Sequence, residues 1–221
     1  AAFARDVEDL LHAIKFPYTV GYGMTECAPI LGYRDWKTFV PHSCGRPALG
    51  MEIKIDSEDP ENKPGEMIAK GKNVMLGYYK NQEATAAAID KDGWLHTGDM
   101  GVIDKDNNIF IRGRVKNMLL SGTGQNIYPE DIEKEISSIP YVAETVVVQR
   151  DTRLIGLVFP DREAAAEAGL SDDEQIKKFF ESHKAEINKN LAAYSHITTF
   201  EIVEKEFEKT PKKSIKRFLY S

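Results

Sequence analysis

The chain has 221 residues, 42% of them hydrophobic and 29% charged, a balance that supports a buried core in one large domain or two modest ones. Its formal net charge of −6 argues against a general phosphate-binding surface, so nucleic acid is not an expected partner and any basic site must be local. No apolar run approaches the roughly 20 residues a membrane-spanning helix needs, and no signal-peptide pattern opens the chain, so a cytoplasmic protein is expected.

The first predicted element is a helix over "AAFARDVEDLLHAIK", with Phe3, Val7, Leu10, Leu11 and Ile14 on one buried face. It starts without an initiator Met, which suggests a piece of a longer protein. A strand-like "YTV" then leads into "GYGMTE", residues 21–26. Gly21 and Gly23 suit a turn, and Thr25 and Glu26 suit its capping. The same stretch also offers the Tyr22 ring to a base, the Thr25 hydroxyl to a phosphoryl oxygen and the Glu26 carboxylate to Mg²⁺. It is no dinucleotide fingerprint, because the third glycine is absent. Cys27 and Cys44 lack paired zinc or redox spacing and are expected to be reduced and packed; with His42 they match no common ligand pattern.

Residues 49–70 change period. Met51, Ile53 and Ile55 alternate with charged neighbours, and "GEMIAKG" follows a Pro-Gly turn, which predicts short strands with one wet face. "NQEATAAAI" is a short helix capped by Asn81. "GWLHTGDMGVIDKDNNIFIRGR" reads as strands broken by turns. Asp104, Asp106 and Asn108 imitate a calcium loop, but Ile109 and Val115 stand where such a loop needs Gly and Glu, so a hairpin turn is expected. Asp99 either closes a turn or accepts from the two hydroxyls of a ribose, while His96 and Thr97 read as structural. In "IRGRVKN", residues 111–117, Arg114 is a forked donor for sugar or phosphate oxygens. Lys116 reads equally well as a solvated charge.

Beyond that stretch the pattern is compact α+β. A strand at "NMLLS" precedes a helix from Pro129, with Glu130 and Asp131 in its first turn and Ile132, Ile136 and Ile139 inward. The hairpin "AETVVVQRDTRLIGLVF" follows. One long helix, opened by Ser171 and Glu174 in capping-box spacing, buries Ile176, Phe179, Phe180, His183, Ile187 and Leu191; His183 is expected in the core. After a strand "ITTFEIV", the run "EKTPKKSIKR" reads as a solvated tail, or as a mobile ammonium delivered to charge building up on phosphate and carboxylate. Two units are expected, 1–114 from a larger domain and 115–221 as a small complete one.

Five ordered motifs, "GYGMTE", "GEMIAKGKNVMLGYYKN", "GWLHTGD", "GRVKNMLLSGTGQNIYPEDIE" and "KTPKKSIKRFLY", resemble the C-terminal portion of the adenylate-forming ligases over nearly the whole chain. Within that superfamily they are most similar to bacterial long-chain fatty acid-CoA ligases. The resemblance implies an α+β fold, a β-rich part of the large AMP-binding domain followed by a small mobile domain, with a hinge at Lys116. It implies that ATP, with Mg²⁺, and a long-chain fatty acid give acyl-AMP, which CoA then converts to a thioester. It places Tyr22 and Gly23 beside adenine, Thr25 at the α-phosphate, Glu26 on Mg²⁺, and Asp99 and Arg114 on the ribose, with Ile111 in the same pocket. Gly124 of "SGTGQN" is set beside the entering pantetheine, where a missing Cβ lets a thin chain pass. The adenylating lysine is expected four residues after Thr210, but Ser214 stands there; the role falls to Lys213, with Lys216 as the alternative. No Ser/Thr/Gly-rich phosphate loop occurs in these residues, so the missing N-terminal part is an expected partner and the chain alone is expected to be inactive in ATP-pyrophosphate exchange. Competing readings are a carrier-protein acceptor or another acid, a non-catalytic nucleotide-binding module, and peripheral membrane or RNA contact through Lys209, Lys212, Lys213, Lys216 and Arg217.

Overall fold

A computed structural model describes residues 5–211 and 213–220; Phe3 and Lys212 lie outside them. The chain divides into two compact units, Ala1–Lys116 and Asn117–Ser221.

In the first unit, helix α1 spans Arg5–Ala13 and departs from expectation in its orientation. Val7, Leu10 and Ile14 are exposed, and the buried residue is Glu8. Polar anchoring sets this orientation. The Glu8 carboxylate accepts from the His42 N–H at 2.8 Å and from the Tyr18 hydroxyl at 3.3 Å, and the His42 ring reaches Asp9 at 2.9 Å. The strand-like stretch "YTV" is not paired in a sheet; the Thr19 hydroxyl donates to the Arg34 carbonyl oxygen at 2.7 Å. Pairing starts at β1 (Tyr22–Gly23), which joins β2 (Ile30–Tyr33) and β3 (Arg46–Pro47) in a small antiparallel sheet. Cys27 and Cys44 form no disulfide and are buried in one core with Leu31, as their spacing suggested.

An antiparallel meander follows: β4 (Met51–Asp56), β5 (Gly65–Gly71), β6 (Leu95–Ile103) and β7 (Ile109–Arg114). Alternation sends Met51, Ile55, Met67, Ala69 and Leu95 into one core with Tyr22 and Leu31. Helix α2 (Gln82–Ala88) lies between β5 and β6 in sequence, and the Asn81 side chain accepts the Ala84 N–H at 3.0 Å as predicted. In the β6–β7 turn, Asp104 accepts the N–H groups of Asp106 and Asn108 at 2.9 and 2.8 Å, so the acidic run builds the hairpin.

The second unit begins with the short pair β8 (Leu119–Leu120) and β9 (Asn126–Ile127), then α3 (Pro129–Ser137) with Pro129 at its first position. Strands β10 (Val142–Arg150) and β11 (Arg153–Pro160) form the expected hairpin. The expected long helix is α5 (Asp173–Lys189), and an additional short helix, α4 (Arg162–Glu167), capped by Asp161, precedes it. The cap of α5 is Asp172, which accepts the Gln175 N–H at 2.8 Å, and Ser171 instead donates its N–H to Gln175 Oε1. A carboxylate suits the positive end of a helix, which places the cap at Asp172, one residue beyond the expected Ser171. Strand β12 (Ile197–Ile202) then pairs parallel to β11.

Both faces of this sheet are covered. One packs Val147, Leu154 and Val158 against Ile132, Ile136, Ile176 and Phe180 of the helices, and Gly156 lets Phe200 approach, since a Cβ there would meet its ring at 2.8 Å. The other packs Val146, Val148, Ile155 and Leu157 under Phe207, Ile215 and Tyr220 of the C-terminal segment. Double coverage explains why β10 and β11 read as continuous apolar runs. His183 sits in the α5 stripe, its Nδ1 2.9 Å from the Phe179 carbonyl oxygen, as a packed residue.

Candidate functional site

In the first unit, the register of β6 and β7 sets Asp99 directly opposite Arg114, which puts both side chains on one face. Arg114 Nε donates to Asp99 Oδ1 at 2.8 Å, and the Tyr22 hydroxyl donates to Asp99 Oδ2 at 2.6 Å. Tyr22 and Asp99 are each 7% exposed, whereas half of the Arg114 side chain meets solvent. A carboxylate is thus held between a covered phenol and a cation facing water. Burial, reinforced by the Asp99 charge, pushes the Tyr22 phenol far above its ordinary value, which keeps it a hydrogen-bond donor.

The residues before Asp99 are fixed one after another. Thr97 Oγ1 donates to the Met67 carbonyl oxygen at 2.7 Å and accepts the Asp99 N–H at 3.1 Å. Glu66 accepts the Gly98 N–H at 3.0 Å and lies 2.8 Å from His96 Nδ1. His96 and Thr97 are therefore structural supports, as their positions suggested.

The turn after Tyr22 closes through a short 3-10 helix, Thr25–Cys27, and is braced by residues from the loop after β5. The Met75 N–H donates to the Glu26 carbonyl oxygen at 2.7 Å, and Asn73 Nδ2 donates to that of Cys27 at 2.7 Å. Glu26 Oε1 accepts the Tyr78 hydroxyl at 3.0 Å. Tyr78 escaped the sequence reading, although the aromatic pair in "GYYKN" is its signal. Thr25 is exposed and Gly23 pairs with Ile30. Thr25 and Glu26 follow Tyr22 closely in the chain, and the Glu26 side chain turns to Tyr78. Ile111 contributes to the apolar packing of this unit. Burial pushes the Cys27 thiol up to about 11, so it is not a nucleophile.

In the second unit, Gly124 lies in the loop between β8 and β9 at φ +83°, a left-handed conformation, with open space where a Cβ would stand. Its N–H donates to the Ser121 carbonyl oxygen at 3.0 Å. Lys116 is exposed in the 3-10 turn Val115–Asn117.

The basic C-terminal run is not a solvated tail. It folds into a hairpin in which the Thr210 N–H donates to the Ser214 carbonyl oxygen and the Lys213 N–H to that of Thr210, both at 2.8 Å, with Lys209 bridged to Ile215. Lys209 contacts Glu144, Lys216 Nζ donates to Glu208 at 3.1 Å and Arg217 contacts Glu133. Among the described residues, Lys213 forms no ion pair with a carboxylate. This sets it apart from Lys216, the alternative.

Residues 2–79 match the family model of the AMP-binding enzymes, and residues 116–220 match the AMP-binding enzyme C-terminal domain. A 4-coumarate-CoA ligase of Glycine max is 34% identical over 212 residues, which cover 89% of this chain and 69% of that protein. The chain belongs to the AMP-binding enzyme family. A 4-coumarate-CoA ligase of Oryza sativa is 36% identical over 81% of this family member, but only 35% of the rice protein is covered, so the chain spans about a third of that relative's length. In fold it superposes on the AMP complex of an O-succinylbenzoate CoA synthetase from Bacillus subtilis with a TM-score of 0.78 at 23% identity, covering 98% of this chain and 43% of that one. ATP-bound MatB from Rhodopseudomonas palustris gives a TM-score of 0.70 at 26% identity over 90% of this chain and 39% of that chain. The two curated relatives are named for 4-coumarate, not for a fatty acid.

Proposed function

We propose that the chain is the C-terminal part of an AMP-forming acid-thiol ligase, which joins a carboxylic acid to ATP as acyl-AMP with release of pyrophosphate and then lets the thiol of CoA displace AMP. The chemistry defines what the protein must hold. A carboxylate resists attack because oxide leaves poorly, and exchanging that oxide for AMP supplies a good leaving group.

The observation that carries this reading is the clamped Asp99. Tyr22 holds one of its oxygens and Arg114 the other, which fixes the orientation of an ionised carboxylate, the acceptor type suited to the vicinal hydroxyls of a ribose. Arg114 turns its exposed guanidinium edge to the same sugar. Tyr22 borders the adenine and also steadies Asp99, with Gly23 and Ile111 completing that wall. Thr25, exposed in its turn, serves the α-phosphate. Glu26 suits Mg²⁺ by donor chemistry: it is a hard carboxylate with one oxygen held by Tyr78 and the other available, adequate for an ion that keeps waters and takes most of its ligands from phosphate. When bound, Mg²⁺ would neutralise phosphate charge.

Residues 1–114 form part of the large AMP-binding domain and 115–221 the small domain, which pivots at Lys116. One orientation presents Lys213 for adenylation, and the other brings Gly124 to the pantetheine of CoA. A fatty acyl substrate is favoured by the "GTGQNIYPEDIE" motif; an aromatic propenoic acid is the second reading, favoured by the 4-coumarate relatives. No helix among the described residues is long and apolar enough to cross a membrane, which accords with a cytoplasmic enzyme.

Hydroxamate trapping on the full-length protein across a panel of carboxylic acids tests the proposal. Trapping of a fatty acid supports the first reading and of a coumarate the second, while absence of any acyl hydroxamate across the panel would overturn both. An Asp99→Ala variant that traps as fast as wild type would remove the ribose assignment.

A further inference from the structure

In the second unit, two carboxylates of α3 one turn apart, Glu130 and Glu133, face the C-terminal segment. Arg217 Nη2 donates to Glu133 Oε2, and its Nε lies 4.0 Å from Glu130 Oε1. The other Glu133 oxygen accepts the Val147 N–H of β10 at 2.6 Å. Glu130 Oε1 also accepts from Asn117 Nδ2 at 2.5 Å, and Asn117 directly follows Lys116. Arg217, Glu133 and Glu130 are mostly covered, at 21%, 13% and 24% side-chain exposure, which sets them apart from the exposed pair Arg150–Glu201 on the same sheet. Covered, charge-assisted contacts are the strong ones.

Arg217 stands immediately after the closure of the Lys213 hairpin, where the Lys216 N–H donates to the Glu208 carbonyl oxygen at 2.8 Å. We infer that Arg217 is a positioning residue for Lys213: its grip on Glu133 and Glu130 fixes the base of the lysine-bearing hairpin to α3, and Asn117 ties the same cluster to the residue beside the pivot. The inference rests on the reading of Lys213 given above. The apolar contacts of Ile215 and Tyr220 hold the segment on the sheet, whereas the Arg217 contacts fix its position along α3.

Burial pushes the Glu133 carboxyl up to about 7, and Arg217 opposes that rise. The charged groups facing Glu133 are Arg217 from the C-terminal segment and Glu130 from its own helix; β10 presents an N–H. The same segment that covers Glu133 thus also supplies the charge that offsets the cost of covering it.

Hydrogen exchange on the 221-residue chain reads the grip directly. Arg217→Ala should lower protection of the Thr210, Lys213 and Lys216 amides at least tenfold while leaving Val146 and Leu157 within twofold, and Arg217→Lys should recover part of it. In the full-length protein, Arg217→Ala should lower kcat for adenylation at least tenfold with the KM for ATP within twofold. Hairpin protection within twofold of wild type in Arg217→Ala overturns the inference. So does an unchanged kcat in a protein whose Lys213→Ala variant has lost adenylation. If Lys213→Ala itself adenylates normally, the assignment of Lys213 falls and takes the positioning role with it, even where exchange shows the grip intact.

Discussion

Replacing Tyr22 by Phe removes one hydroxyl from a covered site and leaves the ring in place. The lost contact is a 2.6 Å hydrogen bond from a phenol to a carboxylate, with both residues 7% exposed, so little water is at hand to replace it. A bond to a charged acceptor in such surroundings contributes about 1.5–3 kcal/mol, and Arg114 continues to hold the other Asp99 oxygen. With a urea dependence of about 1.5 kcal/mol per molar, the unfolding midpoint of the first unit should fall by about 1–2 M. The assay can be confined to that unit, because the two tryptophans, Trp36 and Trp94, both lie within Ala1–Lys116 and their fluorescence reports it alone. A pH control follows from the raised phenol. An unfolded tyrosine ionises near 10, so the Tyr22 contribution is complete below that value and declines as pH rises beyond it; the gap between wild type and variant should narrow in strong alkali. A midpoint within 0.3 M of wild type at pH 7, taking ~0.3 M as the resolution of such a curve, would show that Asp99 does not depend on Tyr22.

Lys213→Ala in the full-length protein should slow adenylation by at least tenfold and spare thiolysis of supplied acyl-AMP, read as separate half-reactions. Gly124→Ala should cost about 1 kcal/mol in stability of the second unit, since the left-handed backbone resists a Cβ that otherwise meets nothing; by the proposed role it should slow thioester formation and not adenylate formation. Cys27 should resist iodoacetamide at pH 8 in the folded chain, because burial holds its thiol near 11, and should label within minutes in urea. Burial lifts the Glu133 carboxyl to about 7, so its contribution to the folded state is complete below its ordinary 4.5 and is lost as pH rises through about 7; urea unfolding of the second unit should show that decline in wild type and a flatter profile in Glu133→Gln.

Local chemistry made much of the fold legible. Asn81 caps α2, Pro129 opens α3, and the apolar runs of β10 and β11 pair as a hairpin, each decided by nearby residues. What escaped was decided by competition or by distant partners. Asp172 displaced Ser171 as a cap, and the short helix α4, capped by Asp161 and ended by Gly169 at φ +87°, was not anticipated ahead of α5. At the candidate site, the motifs exposed Tyr22, Asp99 and Arg114 as chemically capable groups, but their mutual bonding depends on the β6–β7 register and on a contact across 77 residues. Tyr78 was hidden for the same reason: a tyrosine in a loop shows no sign of the carboxylate it will meet. The hairpin around Lys213 read as a tail because its carboxylate partners, Glu133 and Glu144, lie far upstream.

Helix α1 sits with its polar side inward, fastened through Glu8 and Asp9 to His42 and Tyr18, and with Val7, Leu10 and Ile14 turned outward. An oily stripe on a helix that is already ordered differs from the same stripe on a floppy peptide. Any surface that covers it meets a rigid ridge whose backbone freedom was lost beforehand, so nearly all of the solvent released from those side chains counts toward adhesion. Such a helix joins neighbouring structure strongly for its size.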